Sequence, residues 1–139
     1  MMTVTVTDKL AELGQHEPLF IEPEATLRQA AERMWDSGVG LLVVGDRSHA
    51  LGVLSERDIV IHLARGGDAD ATTVGQAMTK TVVTVRGEDF IHEAAYVMLE
   101  EEMRHVPVSD DEGHVVGMIS IRDLLRPLLV ESLEHRSAS

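Results

Sequence analysis

The sequence has no cysteine, which excludes disulfides, thiolate metal sites and cysteine nucleophiles. Aromatic residues make up only 3% (Phe20, Trp35, Phe90 and Tyr96), so the core must be aliphatic, built from Val, Leu, Ile, Ala and Met. No run approaches the ~18 apolar residues of a membrane span. The stretch Met1–Leu13 has no basic segment followed by an apolar one, as a secretory signal would. A soluble, cytoplasmic chain with no membrane partner is expected. Positive charge is scarce: 12 Lys+Arg stand against 24 Asp+Glu, a net charge of −12. That balance counts against sequence-independent nucleic-acid binding, which needs cations to neutralise phosphates. Any anionic ligand must be held by a few well-placed groups. What is present is ordinary for a globular protein, 44% apolar and 26% charged over 139 residues. A chain of this length forms one compact domain, burying roughly 70% of its unfolded surface.

An internal repeat decides the architecture. Leu27, Ala30, Ala31, Met34 and Trp35 recur 64 positions later as Ile91, Ala94, Ala95, Met98 and Leu99. Both sets have the spacing of one buried helix face. Gly52-Val53-Leu54-Ser55-Glu56-Arg57-Asp58 recurs 65 positions later as Gly117-Met118-Ile119-Ser120-Ile121-Arg122-Asp123. The change of offset places one extra residue in the second copy, expected near Glu100–Glu102 at the end of the first helix. Each copy, roughly 17–66 and 81–130, opens on a short apolar strand (Leu19–Ile21; Val82–Val85). An amphipathic helix follows, capped by Thr26 with Gln29 in the first copy and expected at Asp89 in the second. Next comes a hairpin of buried strands, Leu41–Val44 with Leu51–Leu54, and Val106–Val108 with Val115–Ile119. A second helix opens at Ser55 or Ser120. The first of these ends at Arg65-Gly66-Gly67, and Pro127 is expected to kink or stop the other. The fold predicted is α+β, two pseudo-symmetric β-α-β-β-α repeats packed sheet to sheet. With a polar linker from Gly66 to Thr73, the halves run 17–73 and 74–133 and share a core as one folding domain.

The repeated Ser-x-x-Asp has two physical readings. One is a helix cap: the serine accepts from the backbone three residues on, and the acid reaches back. The other is a ligand site. A carboxylate at the mouth of a cleft accepts hydrogen bonds from a ribose diol, and the helix start with Ser55 or Ser120 meets a phosphate or the ribose. Arg57 and Arg122 carry the charge an α-phosphate needs. The two roles are compatible.

The two Gly-hydrophobic-hydrophobic-Ser-x-Arg-Asp segments, His105-Val106-Pro107-Val108 and the repeat length resemble a tandem pair of cystathionine-beta-synthase (CBS) domains, the Bateman module. The resemblance implies a CBS-domain pair that senses an adenosine ligand: AMP, ADP, ATP or S-adenosylmethionine, bound in clefts between the repeats. It implies a crossed arrangement. Leu19, Phe20, Ile21, Leu41, Leu42 and Val43 would face Ser120 and Asp123. Val82, Val83, Thr84, His105, Val106 and Pro107 would face Ser55 and Asp58. Plain core is the alternative for those apolar residues. The resemblance also implies a homodimer packed through helices. Ile59, Val60, Ile61 and Leu63, with Leu124, Leu125, Leu128 and Leu129, are more apolar than one buried helix face requires.

No metal is expected. His49 and His114 share the 65-residue offset but lie in polar turns, and no histidine pair has the spacing of a metal-binding helix. Glu100-Glu101-Glu102 reads as a solvated helix end, or a subunit-facing or cation-binding patch. Nothing supplies a nucleophile or a poised acid–base pair, so the chain is read as no enzyme. Two functions remain: a stand-alone regulatory module reporting ligand state to an unidentified effector protein, or a dimeric interaction scaffold without ligand.

Overall fold

The computed structural model describes residues 6–138. Residues 1–5 of the stretch tested above for a secretory signal lie outside the described residues. The first half comprises β1 (Phe20–Ile21), α1 (Leu27–Ser37), β2 (Leu41–Gly45), β3 (Ala50–Ser55) and α2 (Glu56–Ala64). A short helix, α3 (Val74–Ala77), leads to β4 (Val85–Arg86), α4 (Ile91–Glu100), β5 (His105–Ser109), β6 (Val115–Ser120) and α5 (Ile121–Ala138). A 3-10 turn at Leu10–Glu12 precedes β1. Each half forms a three-stranded sheet, β1-β2-β3 and β4-β5-β6. In each, the first strand runs parallel to the second, and the last two form an antiparallel hairpin. The expected α+β repeat is therefore observed.

Strand alternation divides the apolar residues among three clusters, because successive side chains point to opposite faces. Leu42, Val44 and Leu54 face α1 and α2 in the first-half core. Val106, Val108 and Ile119 face α4 and α5 in the second-half core. Leu41, Val43 and Val53 meet Val115 and Met118 in a third cluster between the two sheets. The sheets thus pack face to face, and β2 is buried on both sides.

The strand register corrects the position of the extra residue. Leu41 pairs with Ser55, and His105 with Ser120. The offset is still 64 at the start of the hairpin and 65 at its end, so the insertion lies in the turn between the strands. Asp46–His49 fill that turn in the first half, and Asp110–His114 in the second. A polar turn absorbs an added residue on the surface, whereas one at Glu100–Glu102 would shift β5 and exchange its two faces. Both turns are organised alike: Asp46 Oδ1 accepts from the amides of Ser48 and His49, and Asp110 Oδ1 from those of Glu112 and His114.

Three further expectations are revised. Asp89 does not cap α4. Its carboxylate accepts from the Arg86 amide, while Glu93 reaches back to the amide of Phe90, so this cap has only its reciprocal half. Phe90 offers no side-chain acceptor. Pro127 does not stop α5, which continues to Ala138. Only the amide bond to the Asp123 carbonyl is lost, and the flanking leucines still form helix. Ile59 and Leu124 are core residues at 8% and 1% exposure, so neither belongs to a free helix face.

The short segments ahead of each half cross over. Leu10 is fully buried in the second-half core, with its amide donating to the Asp89 carbonyl. Val74 is fully buried in the first-half core, with its amide donating to the Ala25 carbonyl. The pairings match by symmetry: Lys9 bridges Phe90, and Thr73 bridges Thr26. Leu10→Ala is expected to destabilise the chain by about 2–5 kcal/mol, as for a core leucine. Val6→Ala, at an exposed neighbouring position, should stay within about 0.5 kcal/mol. Urea unfolding of both variants checks this, and equal small effects would show that the crossover contributes little.

Candidate functional site

Both Ser-x-x-Asp motifs form complete helix caps. Ser55 Oγ accepts from the Asp58 amide at 3.1 Å, and Asp58 Oδ2 accepts from the Ser55 amide at 2.9 Å. Ser120 Oγ accepts from the Asp123 amide at 3.1 Å. Asp123 Oδ2 takes the Ser120 amide at 2.7 Å and its hydroxyl at 2.9 Å. Each cap uses only one carboxylate oxygen, Oδ2, and leaves Oδ1 to a different partner. Asp58 Oδ1 meets the Thr79 hydroxyl at a long 3.4 Å. Asp123 Oδ1 meets His16 Nε2 at 2.9 Å.

The Asp58 side opens into a cleft of about 570 Å³. Ser55, Arg57 and Asp58 form one wall with Leu41 and Val53. Thr79, Thr81 and Val83 come from the segment after α3, and Glu101, Glu102 and Met103 from the α4–β5 connection. A smaller cavity of about 170 Å³ adjoins it, where His105 and Arg104 face Gly40, Leu41 and Ser55. Both arginines at this opening are paired across the halves: Arg57 with Glu102, and Arg104 with Glu56.

The other residues singled out from the sequence are placed as follows. Val83 shares the Asp58 cleft and His105 the cavity beside it. Leu41 lies on the Ser55 side rather than opposite Ser120. Ile21 and Leu42 are buried in the first-half core, with Leu19 packed against it. Val106 is buried in the second-half core. Val43 is buried between the sheets, with Phe20 and Val82 packed around it. Pro107 is buried in β5. The Thr84 hydroxyl accepts from Ser109 Oγ at 3.1 Å. Val82, Val83 and Thr84 precede β4 rather than forming it. Arg122 is exposed on α5. Phe20 and Ile21 line a separate open hollow with Gln29 and Arg33.

Thr79, Thr81 and Met103 were missed, because a polar linker and a helix end carry no motif. Glu101 and Glu102, expected as a solvated helix end or a subunit-facing or cation-binding patch, line the cleft instead. His16 was missed because it precedes the recognised repeat. Its position follows from the crossover: His16 bridges Met118 as Thr79 bridges Val53, through reciprocal backbone hydrogen bonds. The two clefts therefore differ, since Asp123 already has a histidine partner held in place by β6.

Burial favours the neutral form of His105, and the charge of Arg104 adds to this, so its imidazole titrates below the ordinary value. His16 and Arg122 act in the same direction, and Asp123 opposes them. For Asp123, burial would raise the carboxyl value. It is outweighed by the hydrogen bonds from His16 and Ser120, which lower it.

Two stretches, residues 10–65 and 74–130, match the CBS domain family model. The mitochondrial CBS domain-containing protein CBSX3 of Arabidopsis thaliana is 30% identical over 142 residues, 96% of this chain and 68% of that protein. Hypoxic response protein 1 of Mycobacterium tuberculosis is 35% identical over 118 residues, 84% of this chain and 76% of that one. A CBS domain protein of Pyrobaculum aerophilum, solved in complex with AMP, superposes with a TM-score of 0.75 at 32% identity. That match covers 91% of this chain and 99% of the other. Among the described residues no helix is long and apolar enough to cross a membrane.

The His105 shift has a testable sign. The folded chain resists its protonation, so as pH falls below about 6.5 the unfolded chain binds the proton first and stability declines. Asp123, with its lowered value, keeps its contribution until pH falls below about 3.9. The melting temperature should therefore fall between about pH 7.5 and 5.5, and His105→Gln should flatten part of that fall. An unchanged slope in the variant would remove His105 as the cause.

Proposed function

The chain belongs to the CBS-domain family, and from that premise we propose that it is a regulatory module. It binds an adenosine-containing ligand between its halves and signals occupancy to a partner protein. The observation that carries this is the cleft at Asp58. There a capped helix start, a carboxylate oxygen with one weak partner, and apolar side chains from both halves converge on one space. Asp58 Oδ1 is suited to a ribose diol, and exchanging the long Thr79 contact for two charge-assisted hydrogen bonds costs little. Leu41, Val53, Val83 and Met103 offer the base an aliphatic wall, and Ser55 with the α2 start offers donors to the sugar or a phosphate. The AMP carried by the Pyrobaculum aerophilum relative supports the adenosine class. Because the cleft is walled by both halves, a bound ligand bridges them and favours whichever relative placement it fits best. No metal is required for any of these contacts.

The Ser120–Asp123 side is the less accessible of the two, since a ligand there must first displace His16. The module acts as a cytoplasmic homodimer. Trp35 and Leu99 are equivalent positions on α1 and α4, and they are 86% and 76% exposed. Val60 and Leu63 on α2, and Leu125 and Leu129 on α5, add to the uncovered apolar surface. A two-fold interface is the commonest way to cover such surface.

Four measurements test this reading. A thermal-shift panel of AMP, ADP, ATP, S-adenosylmethionine and NADH should contain a stabilising ligand. Saturation at ~100 times the dissociation constant adds about 2.7 kcal/mol. A panel without any shift would favour the ligand-free scaffold. Asp58→Asn should weaken binding of the panel ligand about ten- to a hundredfold, the equivalent of ~1.5–3 kcal/mol. Ser55→Ala should instead lower stability by about 0.5–2 kcal/mol through the cap. Wild-type affinity in Asp58→Asn would leave the motif as a cap only. Light scattering should give twice the chain mass, and a monomer at micromolar concentration would rule out the dimer.

A further inference from the structure

Glu102 occupies a backbone position that does not suit it. Its φ is 54°, in the left-handed region that non-glycine residues adopt at a cost, and its counterpart in the first half is Gly38 at φ 70°. The side chain that stands there is engaged: its carboxylate pairs with the Arg57 guanidinium across the cleft. Glu101 lines the same space from the same connection, and Asp58 lines the opposite wall. The charged lining is thus three carboxylates and one guanidinium, and that guanidinium is already matched. At the adjoining cavity Arg104 is likewise matched by Glu56.

A phosphate entering this cleft meets carboxylates and has to compete with Glu102 for Arg57. Glu102 is in contact with Arg57 at that wall. Any phosphate reaching the guanidinium therefore comes well inside a Debye length (~8 Å) of the Glu102 carboxylate, where salt screens the repulsion only in part. The chain as a whole, at −12, is acidic as well and does not offset it.

We propose that Glu102 is a specificity-determining residue. By holding Arg57 and adding its own charge, it makes the cleft discriminate against phosphate, so that adenosine binds better than AMP and AMP better than ATP. This rests on the cleft being an adenosine site, and it narrows the ligand to nucleosides of low negative charge. The backbone cost at Glu102 is then the cost of a filter that glycine would not provide.

Calorimetry on the full chain with adenosine, AMP and ATP, at fixed low ionic strength, tests the inference. The wild type should bind ATP about tenfold or more weakly than AMP, each decade being about 1.4 kcal/mol. Raising the salt concentration should shrink that gap. Glu102→Gln should close most of the gap by freeing Arg57 and removing one charge. Glu102→Gly should do the same while suiting the backbone, so that a folding defect in the first variant does not obscure the result. ATP binding as tightly as AMP in the wild type would overturn the inference. So would an AMP-to-ATP ratio unchanged in both variants, which is what a merely structural tie between halves predicts. Absence of binding by all three ligands would overturn the adenosine reading itself.

Discussion

The contact of Leu41, Val43 and Val53 with Val115 and Met118 is the constraint that everything else in this molecule answers to. It commits one face of each sheet to the other, so each sheet needs helices on its remaining face. It is also why Leu41 to Val44 are four consecutive buried residues and not an alternating strand. With the sheets held face to face, the start of α2 from one half comes against the α4–β5 connection from the other. The cleft at Asp58 is a product of that geometry. Its two walls come from different halves and would not meet if either half stood alone.

The repeat was legible because most of its helical positions are buried, where side-chain volume and spacing are restricted. Trp35 and Leu99, read from their spacing as part of the same buried face, are instead exposed. Ala30 and Ala94 mark the same contact on α1 and α4, and both are fully buried. The crossing segments were illegible for the opposite reason. The 3-10 turn at Leu10–Glu12 and the short α3 each bury one side chain, Leu10 and Val74, and are otherwise polar or small. A single buried residue has no period. The inserted residue was misplaced because sequence shows only that the offset changes between Leu99 and Gly117, whereas strand pairing shows where. Phe90 and Pro127 illustrate tertiary context overriding a local rule. One is a helix start with half a cap, the other a proline that a longer helix tolerates. The paired carboxylate and serine were visible from the start. What faces them was not, since those residues come from a linker and a helix end.

The halves share a scaffold but differ in charge and hydrogen bonding at equivalent places. Thr79 stands by Asp58 where His16 stands by Asp123, and Gly38 turns α1 into β2 where Glu102 turns α4 into β5. None of these residues lies in a core, so the differences leave the packing unaltered. Duplicated architecture has supplied two openings, and surface substitution has made them unequal. An acidic chain with few cations therefore holds its exposed arginines at one opening against carboxylates of the opposite half.

The crossover of Leu10 and Val74 has a topological consequence. Each half completes its own hydrophobic layer with a piece of chain that precedes the other, so the molecule is interlocked like an internal domain swap. Cutting the linker near Gly66 would not release two independent bodies. The fragments would remain clasped, each filling a gap in its neighbour's interior, and either one purified alone would expose an unfilled slot. The same interlocking bars a gradual loss of either repeat, because deleting one also removes a wall of the survivor. Duplication of such a unit is thereby difficult to reverse.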